Sequence, residues 1–323
     1  MDSNAVPSLT FQPLPADEAG AWLDRERDRR AQRHIAGGAP REAADHRATT
    51  EVETLRQRLH EGALHLWSTD AGERSGGTVA VDVHETSQGR EAFVLSLDPE
   101  VMAGPEAPLL VDGLEAALAE QQAAWLRLEV PPQASALFEG RGYQRLVTET
   151  VRTLRGGPPH PPPEGLPRLN LRDMDPTQFE EYIAHSKQQR AREMAKAGAL
   201  PAAEAESAAS RDVDALLPRG IDTPGNVFLV GYDGNTAVGT LWLTLRKDAD
   251  GLHAFGQELR IHDDVQRQGY AWAFLFAVNE LLQSRNVTTV AARVYGYNAH
   301  LSRMLASFGH RERSVQYKKA LSA

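Results

Sequence analysis

The stretch ELRIHDDVQRQGYAWAFLFAVNELLQSR, Glu258 to Arg285, decides how the chain is read. Ala254 to His262 reads as a strand. After Gly269, Ala271, Leu275, Val278 and Leu282 recur with helical spacing. Between the two lies QRQGYA, Gln266 to Ala271, a turn at a helix start. The first backbone N–H groups of a helix have no intrahelical partner, and the aligned dipoles add about half a positive charge there. Gly269 carries no Cβ and Ala271 is almost as small, so an anion can approach the amides of Gln266, Arg267, Gln268, Gly269, Tyr270 and Ala271. One glycine at a helix start is more often a structural turn than a phosphate nest, so the flanks must decide.

Outward from the turn, Val287 to Tyr295 reads as a strand and Ala299 to Ser307 as a helix, with a closing strand near Ser314 to Lys318. Upstream, Asp175-Pro176 opens a helix with a capping carboxylate and a proline in its first turn. Helical patterning continues to about Gly198 and resumes from Ala202 to Leu217. Asn226 to Tyr232 and Ala237 to Leu245 flank an Asp-Gly-Asn turn as a hairpin. The order β-α-α-β-β-β-α-β-α-β predicts a mixed sheet with helices on its faces.

RGGPPHPPPEGLP, Arg155 to Pro167, has too many prolines for a helix or a central strand and reads as an extended linker. The halves on either side resemble each other. At a constant offset, Trp22 aligns with Tyr182, Arg30 with Arg190 and Gly38 with Gly198. Three further blocks follow in the same order, the last pairing ALFEGRGYQRL with MLASFGHRERS. The chain reads as a duplicated domain, with residues 1–155 and 168–323 as the copies and 156–167 as the linker.

The net charge of −9 comes entirely from the first half, the second being close to neutral, so neither half has the basic excess of a nucleic-acid binder. With no cysteine, thiolate chemistry and disulfides are excluded. The histidines have no ligand spacing, so no metal is expected. No apolar run approaches a membrane span, and the start shows no secretory pattern, so a cytoplasmic protein without membrane partners is expected. The Ala, Arg and Gly content suits a high-GC bacterium.

The stretch from Glu258, followed by a strand and then YNAHLSRMLASFGH, resembles the GNAT acyltransferase superfamily. Its Q/R-x-x-G-x-G/A turn is matched by Gln266, Gly269 and Ala271, and the resemblance covers Arg168 to Lys319. It implies two tandem GNAT-like domains, each a mixed, mostly antiparallel sheet flanked by helices. It further implies acetyl-CoA or another acyl-CoA as co-substrate, its pyrophosphate on the QRQGYA amides and its pantetheine arm between two splayed strands. Backbone groups of Leu259 and Ile261 would bond that arm, and Asn298 would contact it, although Asn298 also suits a helix N-cap. Glu258 matches the family's general base, with an edge carboxylate in solvent as the structural alternative. The family's usual tyrosine acid falls on Leu305, and its closing GF on Gly309-His310. Tyr297, His300 and Ser302 lie nearby in sequence, with nothing to select one as acid.

Arg190 and Glu193 sit on the helix expected to roof the acceptor site; an i,i+3 charge pair is the plainer reading. In the first copy Pro131 stands for Asn298, Ser96 or Leu97 for Glu258, and a proline-bearing segment for the turn. That copy is expected to lack a cofactor site and to stand in for a second subunit, leaving a monomer or dimer. The chain is thus expected to acylate a small-molecule amine. The alternatives are a non-catalytic acyl-CoA sensor and an enzyme that takes acyl groups from a carrier protein.

Overall fold

A computed structural model describes residues 10–36, 41–70, 75–97, 102, 104–154, 158, 160–248 and 251–321. In chain order the elements are β1 Thr10–Pro13, α1 Ala16–Ala36, α2 Arg41–His60, β2 Leu64–Asp70, β3 Ser75–Thr86 and β4 Gly89–Ser96. Then come α3 Ala107–Glu120, β5 Trp125–Val130, β6 Gln144–Thr153, β7 Asn170–Asp173, α4 Pro176–Lys196 and α5 Ala202–Leu216. The chain ends with β8 Asn226–Asp233, β9 Thr236–Asp248, β10 Gly251–Ile261, α6 Tyr270–Ser284, β11 Val287–Tyr295, α7 Ala299–Ser307 and β12 Arg311–Ala320. The second half follows the order read from the sequence.

Two compact units result, but they are not the two halves. One comprises Met1–Arg145 with Ser314–Ala323, the other Leu146–Arg313. Within the first unit the strand order is β1-β2-β3-β4-β5-β12, and within the second β6-β11-β10-β9-β8-β7. This corrects the linear boundaries at 155 and 168: the last strand of each copy is exchanged. β12 pairs antiparallel with β5, from Val315↔Val130 to Ala320↔Trp125, and β6 with β11, from Thr289↔Thr153 to Tyr295↔Val147. Packing explains the exchange. Val315 and Tyr317 are fully buried in the first unit's core, where Tyr317 stacks on Phe138 with ring centroids 5.3 Å apart.

Among the described residues the strand pairs within each unit are antiparallel but for one parallel pair, β4–β5 in the first and β10–β11 in the second. In the second unit α4 and α5 cover one face, through Phe179, Tyr182 and Val213 on Phe228, Val230 and Trp242. α6 covers the other, where Phe274 is wholly buried among Leu229, Leu241 and Leu243. Burying such a ring contributes about 2–3 kcal/mol. A Cβ on Gly231 would lie 2.3 Å from the Phe274 ring, so only glycine lets α6 approach β8 this closely. At its start α4 carries a full capping box: Gln178 N donates to Asp175 Oδ1 at 2.8 Å, and Asp175 N to Gln178 Oε1 at 3.1 Å.

The described part of the linker belongs to the second unit and packs on it. His160 meets Trp272, Phe276 and Phe308 at centroid distances of 5.9, 5.6 and 6.0 Å.

Beneath Phe308 the exchanged strand β6 meets His310, whose Nδ1 lies 3.2 Å from Thr150 Oγ1. Burial, and then the Arg152 guanidinium, push His310 down to about 4 from 6.5, so the folded state holds it neutral. The unfolded chain therefore takes up a proton first as pH falls, and stability is lost from about pH 6.5 down to the folded value. Between pH 7.5 and 4.5 this group contributes a loss of about 2.5 kcal/mol. Urea denaturation at both pH values should show that component in the parent and not in His310→Phe. Equal pH slopes would contradict it.

Candidate active site

Glu258 owes its position to one extra residue. Before it Gly256 pairs with Leu243, and after it Glu258 pairs with Trp242, so Gln257 is a β-bulge. Leu243 faces α6 and Trp242 faces α4. An unbroken strand would send residue 258 to the α6 side with residue 256; the bulge turns Glu258 to α4 instead. There Ser186 donates to Glu258 Oε2, while Oε1 is buried without a hydrogen-bond partner. The Tyr182 hydroxyl is also buried and lies beside Ser186 and Glu258. Burial raises the Glu258 carboxyl above the usual range, against the pull of Ser186 and Arg190. It is not an edge carboxylate in solvent.

Arg190 stacks over the Trp242 ring at 4.7 Å and donates to Gln257 O and Oε1, both at 3.3 Å. Among the described residues no ion pair joins it to Glu193, whose Oε1 accepts from Gln189 at 3.0 Å. The helix face Tyr182, Ser186, Arg190, Glu193 thus turns inward over the bulge rather than into solvent.

On its other edge β10 stops pairing with β11 at Gly256↔Ala292, though β10 continues to Ile261 and β11 to Tyr295. β10 stays paired with β9 as far as Ile261↔Gly239. Backbone groups of residues 257–261 that face away from β9 therefore have no strand partner, as a cleft for an extended amide-bearing chain requires. Leu259 and Ile261 lie in this segment, their side chains packed on the core under α6.

The turn follows directly. Asp263–Val265 form one 3-10 turn, Arg267 has φ +62°, and Gly269 caps α6 at φ +88° with no side-chain cap on the free amides. Gln266 Nε2 donates to Asp263 Oδ1 at 2.8 Å and Ile261 O at 3.4 Å, which commits its side chain to shaping the turn. Tyr270 donates to Asp233 Oδ2 at 2.9 Å and pins the first residue of α6 to the β8–β9 hairpin. Arg267 and Gln268 are exposed, while Ala271 is half-buried. The amides are left open, which fits an anionic group. A Cβ on Gly269 would stand 3.6 Å from Leu166 Cδ1, so the linker borders the nest.

Asn298 caps α7, its Oδ1 accepting from Leu301 N at 3.1 Å. Leu305 is buried and offers no proton. Tyr297 is a poor substitute: burial, and then Glu193, push its phenol up to about 12. A thiolate whose thiol titrates near about 8.5 would draw a proton from it only uphill. Among the described residues, no group of three or more His, Asp or Glu side chains could hold a metal, and no helix is long and apolar enough to cross a membrane.

Among its described residues the first unit repeats the architecture, bulge included, without a carboxylate at the bulge or an asparagine cap. Its bulge falls on Leu95, which puts Ser96 at the position of Glu258. Pro131 stands where Asn298 caps α7, and a 3-10 stretch, Pro132–Leu137, replaces that helix. Most of the segment preceding α3 lies outside the described residues; α3 itself starts after Glu106 and carries Pro108 in its first turn. On the inner face of α1, Glu26 is buried and takes Arg30 at 2.8 Å, while Arg30 also meets Glu51 at 2.9 Å. Against the upward push of burial, His34 and Arg30 hold the Glu51 carboxyl at about 2.

Residues 191–310 match the family model for the acetyltransferase (GNAT) family. A Bacillus subtilis protein, "Uncharacterized N-acetyltransferase YycN", is 24% identical over 154 residues, covering 47% of this chain and 99% of its own. A GCN5-related N-acetyltransferase from Sphaerobacter thermophilus superposes with a TM-score of 0.52 at 18% identity, over 98% of this chain and 96% of that one. A tandem GNAT protein from the clavulanic acid biosynthesis pathway gives 0.46 at 18% identity, over 98% and 99%. The family match lies within the second unit, and the likeness to the Sphaerobacter thermophilus structure is one of fold.

Proposed function

We propose that the second unit moves an acetyl or other acyl group from acyl-CoA to the amine of a small molecule, with Glu258 as the base. The observation that carries this reading is the buried, partnerless Glu258 Oε1 at the bulge, beside a strand edge left unpaired. An alkyl amine near pKa 10 is only about 0.1% neutral at pH 7, so it must lose a proton before it can attack. A carboxyl held above its ordinary range by burial is a stronger base for that proton. The co-substrate supplies an activated acyl thioester. The amides from Gln266 to Ala271 would hold its pyrophosphate, and backbone groups near Leu259 and Ile261, with Asn298, its pantetheine arm. The departing thiolate takes its proton from water or the product ammonium, since Leu305 offers none.

That buried Leu305 also favours a second reading, an acyl-CoA sensor without turnover. Release of coenzyme A thiol from acetyl-CoA, followed with a panel of primary amines, separates the two. Amine-dependent release supports the transferase. Tight binding of acetyl-CoA without release from any amine supports the sensor.

A further inference from the structure

At the end of β11 and just past it, two tyrosines form an aromatic platform beside the end of α4. Tyr295 and Tyr297 stack with centroids 5.9 Å apart and ring planes 11° from parallel. Lys196 Nζ lies 4.1 Å from the centre of the Tyr297 ring. Tyr297 is among the most exposed large apolar side chains, at 37%. Glu193 links the platform to the base: its charge acts on Glu258, Tyr295 and Tyr297 alike. Asp212 on α5 adds a second negative charge near Tyr295, against Arg190 and Arg293. Arg190 is committed to Trp242 and Gln257, and Arg293 to Glu149 at 3.2 Å.

Such a platform is more than the acyl step requires. The negative face of an aromatic ring attracts an ammonium, and a nearby carboxylate strengthens the attraction. In the chain by itself the exposed Lys196, from the same helix as Glu193, already lies over that face as an alkylammonium would. Lys196 sits at the end of α4, on a flexible stem that an incoming cation can displace.

We propose that this groove selects an acceptor with two cationic centres, one amine presented to Glu258 and the second held on the Tyr297 face beside Glu193. Lys196 is the internal occupant that such an acceptor displaces. The inference rests on the acyl-transfer reading of the same site and narrows its substrate class to diamines and related polycations.

The test compares alkane-α,ω-diamines of three to six carbons with n-alkyl monoamines and amino alcohols of the same length. Two readouts are taken with the full chain: kcat/KM for thiol release, and calorimetric binding to protein saturated with coenzyme A. At the best length the diamine should be preferred roughly tenfold through KM, the scale of one partly desolvated cation–π contact. Tyr297→Ala should shrink that preference to about twofold or less, Tyr297→Phe should retain it, and Lys196→Ala should widen it. The inference is overturned if diamines and monoamines perform alike in the parent, or if Tyr297→Ala keeps the preference. Equal acylation of both would leave the transferase reading standing. Tyr297-dependent diamine binding without thiol release would sustain the groove and defeat the transferase reading. Absence of both release and diamine binding would defeat both.

Discussion

Glu258→Gln is expected to lower turnover about 10²-fold or more, the usual scale of losing a general base, while acetyl-CoA affinity stays within a few-fold. The side chain keeps its shape, and Ser186 can still donate to the amide oxygen. Two further readouts separate a base from a structural carboxylate. Because burial raises this carboxyl, kcat/KM in the parent should rise with pH through a value above the ordinary carboxylate range. That acid limb should vanish in Glu258→Gln. Stability should move the other way. A carboxyl raised in the folded state binds more protons folded than unfolded, so it costs stability at neutral pH and less as pH falls. Glu258→Gln removes that cost and should raise Tm at pH 7, a trade of activity against stability typical of functional sites. A variant that keeps parental turnover would hand the base role to another group.

Tyr317→Ala is expected to unfold the first unit, although residue 317 lies at the end of the second copy. The ring is 2% exposed, stacked on Phe138 and edge-on to Tyr143. Emptying such a site costs about 3–5 kcal/mol, a large share of a domain's stability. Its hydroxyl has no hydrogen-bond partner, so Tyr317→Phe should be nearly neutral. Hydrogen exchange should show protection lost across β2 to β5 and kept in β8 to β10. The opposite pattern would restore the linear boundaries at 155 and 168 and refute the strand exchange.

That exchange shows where reading the sequence stopped. β6 and β12 each alternate as any sheet strand does, and alternation says which side is buried, not which sheet is joined. Choosing the edge takes the long-range fit of Tyr317 beside Phe138 and of Thr150 beside His310. Local signals fared better. Asp175-Pro176, the Asp-Gly-Asn hairpin and the QRQGYA turn rest on backbone chemistry written within a few residues, and the corresponding elements formed there. Glu258 was singled out by resemblance alone, since a bulge leaves no mark in composition. Ser186 was missed, although Tyr182, Ser186, Arg190 and Glu193 recur at helical spacing with polar side chains on an inward face. The tyrosine platform was missed too, because Tyr295 and Tyr297 carry meaning only once Lys196 and Glu193 are brought beside them.

The central claim is that one unit, through the amides around Gly269, holds the acyl donor. Titration of acetyl-CoA into the full chain by calorimetry tests it most directly. At φ +88° a β-branched residue is strained by about 1–2 kcal/mol or more, and its side chain would stand where the phosphate must approach. The account predicts one site per chain in the parent and at least about tenfold weaker binding in a folded Gly269→Val variant. Two equivalent sites, or a folded Gly269→Val that binds as tightly as the parent, would contradict it.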